Sequence, residues 1–414
     1  MDYVIIGNGT AAVGCVEGIR TLDRTGSITI VSAEPYPVYG RPLISYLLEG
    51  KTTEDKMLRY RPEDWYEKNG VTLLPGRTAV SVDSAAHEVT LDNGTVLPYH
   101  KLCFATGSRP FVPPMEGLET VEHQTSFMTL DDAHALAAML GDGKDKRVLI
   151  IGAGLIGLKC AEGIVDRCAS LTIVDMAERI LPNVMLPHPA ALIQKRIESR
   201  GVTFLLGDSA ARFEGNRAVL KSGTVVDFDV LVLAVGVRPN TELAAQAGCT
   251  VDRGIVVDDH CAAGPDLWAA GDCARSHDIS SGSERILAIL PNAYLQGETA
   301  GLNMAGGNRA FTKAIPMNAS GFFGLHVVSA GSYEGQTYLE EDPEEGTYKL
   351  LVTQDDRLVG FILLGDVERA GIYTSLIREQ TSLSSIDFAL IREKPQLMAF
   401  SRSERAKKLG GVQL

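Results

Sequence analysis

Short runs of apolar residues, each followed by glycines, set the pattern of this chain. Residues 3–6 and residues 148–151 are apolar throughout and lead directly into a glycine-rich turn. Continuous apolar runs of this length predict strands that are buried on both faces, as in a parallel sheet. A helical stretch and a second apolar strand follow each turn. The pattern therefore predicts two strand–turn–helix–strand units.

Both turns carry the dinucleotide-binding fingerprint. The fingerprint positions in the first and second units are Gly7, Gly9 and Ala12, and Gly152, Gly154 and Gly157. The first glycine allows a tight turn, the second lets the backbone approach a pyrophosphate, and the third position packs helix against strand. The helix N-terminus then holds the phosphates. Two fingerprints imply two dinucleotides.

An acidic residue follows the second strand of each unit. Glu34 and Asp175 lie 27 and 23 residues beyond the first glycine of their units. An acid that hydrogen-bonds an adenosine ribose is expected roughly 20 residues on. A carboxylate repels a 2′-phosphate, so Asp175 predicts a preference for NADH over NADPH. Arg179 is either a phosphate partner that weakens this preference or a surface helix arginine.

Composition and charge narrow the class of protein. A chain of 414 residues predicts two or three domains, and 45% hydrophobic with 22% charged residues is typical of a globular protein. The formal charge of −13 argues against nucleic acid or an anionic membrane as partner. The first strand begins directly after Met1, which leaves no room for a signal peptide, and no apolar run could span a membrane. We expect a cytoplasmic protein.

The seven cysteines are scattered without a C-x-x-C pair or metal-ligand spacing. Such a set is typical of buried thiols in a reducing compartment, so we predict neither a metal site nor an iron–sulfur cluster.

The second dinucleotide unit interrupts the first. A buried-looking strand at residues 101–105 runs into Thr106 and Gly107, and a parallel sequence at residues 230–235 runs into Gly236. We therefore expect one discontinuous domain at residues 1–110 and 240–320, with a second domain at 111–239 inserted into it. The pattern changes to short alternating strands near residue 321. This change predicts a C-terminal α+β domain at 321–414, with a polar tail from residue 401.

These motifs resemble the pyridine nucleotide-disulfide oxidoreductase superfamily, in its branch of FAD-dependent NADH:rubredoxin and ferredoxin reductases. The resemblance implies an α/β fold with two Rossmann-like domains, as in glutathione reductase, plus the C-terminal domain. It implies FAD in the first unit and NADH in the second, and it allows a homodimer. The residues that it assigns to FAD are Gly7, Gly9, Thr10, Ala11, Ala12, Glu34, Arg41, Ser45, Thr106, Gly107, Asp272, Asn292 and Ala293. Those assigned to NADH are Gly152, Gly154, Leu155, Ile156, Gly157, Asp175 and Gly236.

The segment at residues 35–46 contains no cysteine. Disulfide reductases of this superfamily carry a redox cysteine near here. Without a thiolate there is no nucleophile for a relay from flavin to a disulfide. The reduced flavin is therefore expected to pass electrons directly to an acceptor.

Two residues depart from the family pattern. The family's second fingerprint continues to a glutamate where this chain has Lys159, and its loop lysine is replaced by Tyr46. If the two positions adjoin, a positive Lys159 would favour reduced, anionic flavin. We therefore name Lys159 and Tyr46 as candidate catalytic residues. The alternative for Lys159 is a helix lysine that reaches solvent.

The resemblance implies hydride transfer from NADH to FAD, followed by electron transfer to a rubredoxin- or ferredoxin-like carrier. Three alternatives stay open: the NADH-handling subunit of a larger oxidoreductase complex, an NADH oxidase, and a non-catalytic flavoprotein with an interaction or signalling role. Co-purifying subunits would identify the first alternative and oxygen consumption without a carrier the second. Very slow flavin reduction by NADH would favour the third.

Overall fold

The computed structural model describes residues 1–409, and residues 410–414 lie outside it. The chain divides into two compact units, Met1–Arg275 with Ala293–Ala310, and Ser276–Asn292 with Phe311–Leu414. Among the described helices, none is long and apolar enough to cross a membrane.

The first dinucleotide unit is built around a parallel sheet. Its elements are β1 (Asp2–Ile6), α1 (Thr10–Leu22), β2 (Ser27–Ser32), α2 (Ile44–Leu48), α3 (Glu54–Leu58), α4 (Trp65–Lys68), β3 (Val71–Pro75), β4 (Ala79–Asp83), β5 (Glu88–Leu91), β6 (Val96–Pro98), β7 (Lys101–Phe104) and β8 (Ser108–Pro110). Strand β1 pairs in parallel with β2 on one side and with β7 on the other. The fingerprint turn leaves β1 at its carboxyl end, where ligands bind in open α/β sheets.

The second unit repeats this plan. Its elements are β9 (Gln124–Ser126), α5 (Leu130–Leu140), β10 (Arg147–Ile151), α6 (Leu155–Ile164), β11 (Ser170–Asp175), α7 (Pro187–Glu198), β12 (Val202–Leu206), β13 (Ala210–Phe213), β14 (Arg217–Leu220), β15 (Val225–Asp227), β16 (Val230–Leu233) and β17 (Val237–Pro239). Strand β10 lies between β11 and β16, parallel to both. Strands β8 and β17 pair with each other where the chain was expected to cross between units.

The rest of the chain completes the first sheet and forms the second compact unit. Its elements are α8 (Glu242–Gln246), β18 (Val251–Asp252), β19 (Gly254–Ile255), β20 (Ala262–Gly264), β21 (Leu267–Ala269), β22 (Ser276–Asp278), β23 (Ser283–Arg285), α9 (Leu290–Met304), β24 (Met317–Phe322), β25 (Leu325–Gly331), β26 (Gln336–Asp342), β27 (Thr347–Gln354), β28 (Arg357–Leu364), α10 (Ala370–Arg378), α11 (Phe388–Glu393) and α12 (Arg402–Leu409). Strand β21 pairs with β7 and extends the first sheet to the order β20-β21-β7-β1-β2-β3.

The second compact unit contains an antiparallel sheet of order β24-β25-β28-β27-β26. Its core includes Phe361 and Tyr373, whose ring centroids lie 5.4 Å apart. Two features of this region were not expected from the sequence. The polar stretch that begins at Ser276 forms the hairpin β22–β23, and helix α12 covers most of the predicted polar tail, whose last five residues lie outside the described part.

Helices α1 and α9 cross with their backbones in contact. A Cβ atom on Gly297 would lie 2.0 Å from the Ala11 carbonyl oxygen, and one on Gly301 would lie 1.9 Å from that of Cys15. The α1 glycines face α9 in the same way, because a Cβ on Gly14 would lie 2.3 Å from the Tyr294 oxygen. Only glycine permits so close an approach. This crossing fixes the start of α1, which belongs to the first fingerprint.

Candidate functional site

The first fingerprint forms an open cradle at the start of α1. Gly7 has φ +111°, and a Cβ there would lie 2.1 Å from the Ala105 oxygen, so both conformation and space require glycine. A Cβ on Gly9 would meet nothing within 4 Å. No side chain caps the N-terminus of α1, which begins at Thr10. Free backbone N–H groups beside open space suit a phosphate.

Glu34 is the acid that the sequence assigned to this cradle, and its carboxylate already has two partners. It forms an ion pair with Arg41, and it accepts a hydrogen bond of 2.6 Å from the Tyr39 hydroxyl. The same hydroxyl accepts a hydrogen bond of 3.0 Å from the backbone N–H of Leu130 at the start of α5. A ribose hydroxyl at Glu34 would share the carboxylate with these groups.

Thr106 and Gly107 follow β7 beside the first fingerprint. Gly107 has φ +61°, and a Cβ on it would meet nothing within 4 Å. The Thr106 hydroxyl donates to the Asn240 carbonyl oxygen at 2.6 Å. The Asn240 side chain donates back to the Thr106 oxygen at 2.9 Å. Asn240, which sequence reasoning missed, therefore ties this turn to the segment that leaves the second unit.

Asp272 is partly buried after β21. Burial raises the pKa of its carboxyl group above the usual value, and Arg41 and the Ser108 hydroxyl partly offset this effect. A buried acid that is costly to ionise is a candidate for ligand contact.

Asn292 and Ala293 lie in the first turn of α9. The Asn292 amide donates to the Ile315 oxygen at 3.0 Å. Its Oδ1 atom is buried and has no hydrogen-bond partner. Ser45, another predicted FAD contact, is buried and donates to the Pro42 oxygen at 3.3 Å.

The second fingerprint has the same geometry as the first. Gly152 has φ +115°, and a Cβ there would lie 2.3 Å from the Ala234 oxygen. Gly154 caps α6 without a side chain and faces open space. A Cβ on Gly157 would lie 2.0 Å from the Gly152 oxygen, so the helix packs directly on the turn. Gly236 has φ +111° and also faces open space.

Asp175 lies at the end of β11 and holds the second turn in place. Its carboxylate accepts hydrogen bonds from the backbone N–H groups of Ala153, at 2.7 Å, and Ala177, at 2.8 Å. Arg179 lies in the loop that follows β11, not on a surface helix, and donates to the Pro182 oxygen at 3.0 Å. Its Nε atom is buried without a partner. The Arg179 side chain is thus folded into its own loop.

The two candidate catalytic residues are in contact. The Lys159 amine lies 4.6 Å from the centroid of the Tyr46 ring. Lys159 also forms an ion pair with Glu162, one turn further along α6. The alternative of a lysine that simply reaches solvent does not describe this geometry, since the Lys159 side chain is only 18% exposed.

Close packing of α6 against α2 brings these residues together. A Cβ on Gly163 would lie 2.8 Å from the Ser45 carbonyl oxygen and 3.3 Å from its Cα atom. Gly163 therefore lets α6 approach the backbone of α2 directly. Sequence reasoning missed Glu162. Its spacing of three residues from Lys159 was a usable signal, because residues i and i+3 are neighbours on a helix.

All seven cysteines are free thiols, and six are buried. Cys168 is the more accessible one, and burial raises the pKa of its thiol to about 11. Burial likewise raises the pKa of the Cys273 thiol to about 11. A raised pKa makes the Cys168 and Cys273 thiols poor nucleophiles, so neither suits a redox relay. Within the described residues there is also no group of three His, Cys, Asp or Glu side chains that could hold a metal ion.

The two cradles fit the adenosine diphosphate halves of two dinucleotides. In each, a glycine with open space stands at an uncapped helix N-terminus, and an acid lies at or just beyond the end of the neighbouring strand. Tyr46 and Lys159 link the segment after the first acid to the helix of the second cradle.

Comparison with known proteins agrees with this fold. Residues 1–297 match the family model of pyridine nucleotide-disulphide oxidoreductases. Residues 316–381 match that of the rubredoxin NAD+ reductase C-terminal domain.

Individual relatives extend the comparison. The chain is 30% identical over 396 residues to subunit epsilon of the NADH-dependent phenylglyoxylate dehydrogenase of Aromatoleum evansii, covering 93% of both chains. It is 31% identical over 394 residues to the nitrite reductase [NAD(P)H] of Bacillus subtilis (strain 168), covering 92% of this chain but 48%, or about half, of that protein. Its fold matches the covalent putidaredoxin reductase–putidaredoxin complex with a TM-score of 0.86 and 24% identity over 99% of each chain.

The chain therefore belongs to the pyridine nucleotide-disulphide oxidoreductase family. It is an oxidoreductase that binds FAD and NAD(P)H through two Rossmann-like domains, followed by a C-terminal domain. The predictions of family, fold class and enzyme class are confirmed. The domain boundaries and the roles of individual site residues stay predictions.

Proposed function

We propose that this protein takes electrons from NADH and passes them to a small iron–sulfur or rubredoxin-type carrier protein. The observation that carries the proposal is the pairing of two matched dinucleotide cradles, linked by the Tyr46–Lys159 contact, with no cysteine at residues 35–46. The match of residues 316–381 to the rubredoxin NAD+ reductase C-terminal domain supports the choice of carrier.

The residues of the first cradle would hold FAD. Backbone N–H groups at the start of α1, directly after Gly9, would bind the pyrophosphate. Glu34 would accept a hydrogen bond from a ribose hydroxyl. Asp272 would accept hydrogen bonds from the ribityl chain, which repays part of the cost of its burial. Bound FAD would supply the redox chemistry, since it can accept two electrons and release them singly.

The residues of the second cradle would bind NADH in preference to NADPH. Asp175 would accept hydrogen bonds from the adenosine ribose and repel a 2′-phosphate. Arg179 lies in a loop and donates to the Pro182 oxygen there, so it is neither the surface helix arginine of the alternative nor a side chain free to reach a 2′-phosphate.

The chemistry needs no acid–base pair from the protein. Described side chains near the contact of α2 and α6 include Tyr46, Lys51 and Lys159, and they can orient the bound groups. The reaction would depend on holding two dinucleotides in register, which the close packing of α6 on α2 favours.

A carrier panel tests this function. The purified protein would be given NADH with a rubredoxin, a [2Fe–2S] ferredoxin or oxygen as the acceptor, under otherwise identical conditions. We expect reduction of at least one carrier to exceed oxygen consumption at least tenfold. Oxygen consumption that is equally fast without a carrier would instead identify an NADH oxidase.

A second candidate function is the NADH-handling subunit of a larger oxidoreductase complex. It is favoured by the relative from Aromatoleum evansii, a dehydrogenase subunit that matches this chain over 93% of both lengths. Affinity purification of the tagged protein from its own cells separates the two functions. Stoichiometric partner subunits that accept its electrons faster than any free carrier would establish the complex.

We further propose a cytoplasmic location, which the seven free cysteines support because unpaired thiols persist in reducing compartments. The homodimer allowed by the family resemblance stays a prediction, and size-exclusion chromatography with light scattering is its test.

A further inference from the structure

Glu162 is a buried acid in α6 that the proposed function leaves without a role. Its side chain is 4% exposed. Burying a carboxylate is costly unless a cation stays beside it. A buried acid at this position therefore needs an explanation.

Two lysines surround the acid and share one aromatic neighbour. Lys159 pairs with Glu162, and its amine lies 4.6 Å from the centroid of the Tyr46 ring. The amine of Lys51 lies 5.7 Å from the centroid of the same ring and 2.5 Å from Glu49. The hydrogen bond that the Lys51 amine donates to Glu49 is the main cause of its raised pKa, and the negative charge of Glu162 adds to this effect.

The four charged groups form a neutral cluster around Tyr46. The cluster consists of Glu49, Lys51, Lys159 and Glu162, with two negative and two positive charges. In this cluster the charge of Lys159 is cancelled by the carboxylate at its side. The expectation that a positive Lys159 favours reduced flavin therefore changes, because the Glu162 carboxylate lies beside the amine.

The cluster lies where the two dinucleotide units meet. Tyr46 belongs to α2, which follows the loop of Glu34 and Arg41 in the first unit, whereas Lys159 and Glu162 belong to α6, which starts at the second cradle. Any transfer between two bound dinucleotides must take place between these units. Gly163 packs on the Ser45 backbone, which brings the two halves of the cluster together at this junction.

We propose that Glu162 is a positioning residue that holds Lys159 against Tyr46 and cancels its charge, and thereby keeps the redox potential of the bound flavin low. The inference rests on the proposed function in one respect, that FAD binds in the first cradle. Reduced flavin carries negative charge, so an uncompensated cation nearby would stabilise it and raise the potential.

Redox titration of the holoprotein with dithionite and reference dyes tests the proposal. Glu162→Gln keeps the shape and one acceptor oxygen but removes the charge. We expect the ratio of reduced to oxidised flavin at a fixed ambient potential to increase about tenfold. For a two-electron couple this corresponds to a rise of about 30 mV in the midpoint potential. Lys159→Met should shift the midpoint in the opposite direction, and the double variant Lys159→Met/Glu162→Gln should return close to the parent value.

The double variant separates charge from structure. A midpoint unchanged in Glu162→Gln, or a double variant displaced as far as Glu162→Gln alone, would overturn the proposal. If Glu162→Gln does not fold, the neutral double variant is compared with Lys159→Met, and equal midpoints would overturn it. The titration uses neither NADH nor a carrier. Failure to bind FAD would therefore refute the proposed function, whereas bound FAD with unresponsive midpoints would refute only this inference.

Discussion

Single residues in this protein combine a structural and a ligand-binding role. Asp175 would select the nucleotide, yet it also holds the fingerprint turn through the Ala153 N–H at 2.7 Å. Glu34 would bind FAD, yet its carboxylate also accepts a hydrogen bond from the Tyr39 hydroxyl. That hydroxyl in turn accepts one from the backbone N–H of Leu130, at the start of α5. Spacing alone predicted both acids. It could not predict their partners, because these come from residues brought close only by folding.

Replacement of Asp175 tests the nucleotide preference. Asp175→Ala should lower the ratio of kcat/KM for NADH over NADPH at least tenfold, because it removes both the ribose acceptor and the repulsion of a 2′-phosphate. It should also raise the KM for NADH, since the Ala153 N–H loses its partner. Asp175→Asn is the matched control, because it removes the charge but keeps an acceptor oxygen for the turn. An unchanged ratio in both variants would refute the assignment.

The pKa of Asp272 gives a pH-dependent prediction. Burial raises the pKa of Asp272, so the folded state binds the proton more tightly than the unfolded state. The free energy of unfolding therefore falls as the pH rises above about 3.9, the pKa of an aspartate in the unfolded chain. Asp272→Asn should therefore stabilise the FAD-free protein at pH 7, with the gain shrinking below about pH 4. The same change should weaken FAD binding about tenfold, the usual effect of losing a hydrogen bond to a charged group.

Thermal unfolding of FAD-free protein across pH, together with FAD titration, checks both effects of Asp272→Asn. Lower stability at pH 7 combined with unchanged FAD affinity would give Asp272 a structural role only.

At the scale of elements, glycines decide which helices approach closely. The sequence predicted α1 and α6 from apolar patterns and fingerprints. The crossing of α1 with α9 was not predicted, because Gly297 and Gly301 lie nearly 300 residues from their contacts on α1. Periodicity describes one element at a time. The hairpin β22–β23 was missed for a related reason, since its polar residues carry no apolar alternation.

Gly297→Ala tests the crossing of α1 and α9. The added methyl group would lie 2.0 Å from the Ala11 carbonyl oxygen, a backbone atom that cannot move cheaply. We expect a loss of about 1–3 kcal/mol in the free energy of unfolding. FAD should also bind more weakly, because Ala11 lies in the first turn of α1.

Gly371→Ala is the control for this helix substitution. A Cβ on Gly371 in α10 would meet nothing within 4 Å. This variant should be neutral or up to about 1 kcal/mol more stable, as alanine favours helix. Denaturant unfolding and FAD fluorescence measure both variants. Equal stabilities of Gly297→Ala and the parent would show that the helices can separate freely.

At the scale of the whole molecule, the protein belongs to a family that includes disulfide reductases, yet it has no cysteine at residues 35–46. The fold class and the two cofactor units followed from motifs that recur in order along the chain. The identity of the electron acceptor could not be predicted in this way, because the acceptor would bind to a surface whose residues form no sequence motif. The charge cluster around Tyr46 was only partly predictable, since Glu162 joins it through the packing of α6 on α2.

Thiol alkylation tests direct electron transfer. Treatment of the native holoprotein with N-ethylmaleimide should leave NADH-dependent carrier reduction within about twofold of the untreated rate, since buried thiols with raised pKa values react slowly. Cys168 is the expected site of slow modification, and Cys168→Ser is the control. Activity lost in proportion to one modified cysteine would reveal a thiol relay.

Anaerobic stopped-flow reduction of the purified holoprotein tests the central claim most directly. The flavin band is followed after mixing with NADH or NADPH, and a rubredoxin or ferredoxin is then added to the reduced enzyme. We predict rapid bleaching by NADH, at least tenfold slower bleaching by NADPH, and fast reoxidation of the flavin by a carrier. Slow or absent bleaching by NADH, or a reduced flavin that no carrier reoxidises, would contradict an NADH-dependent carrier reductase.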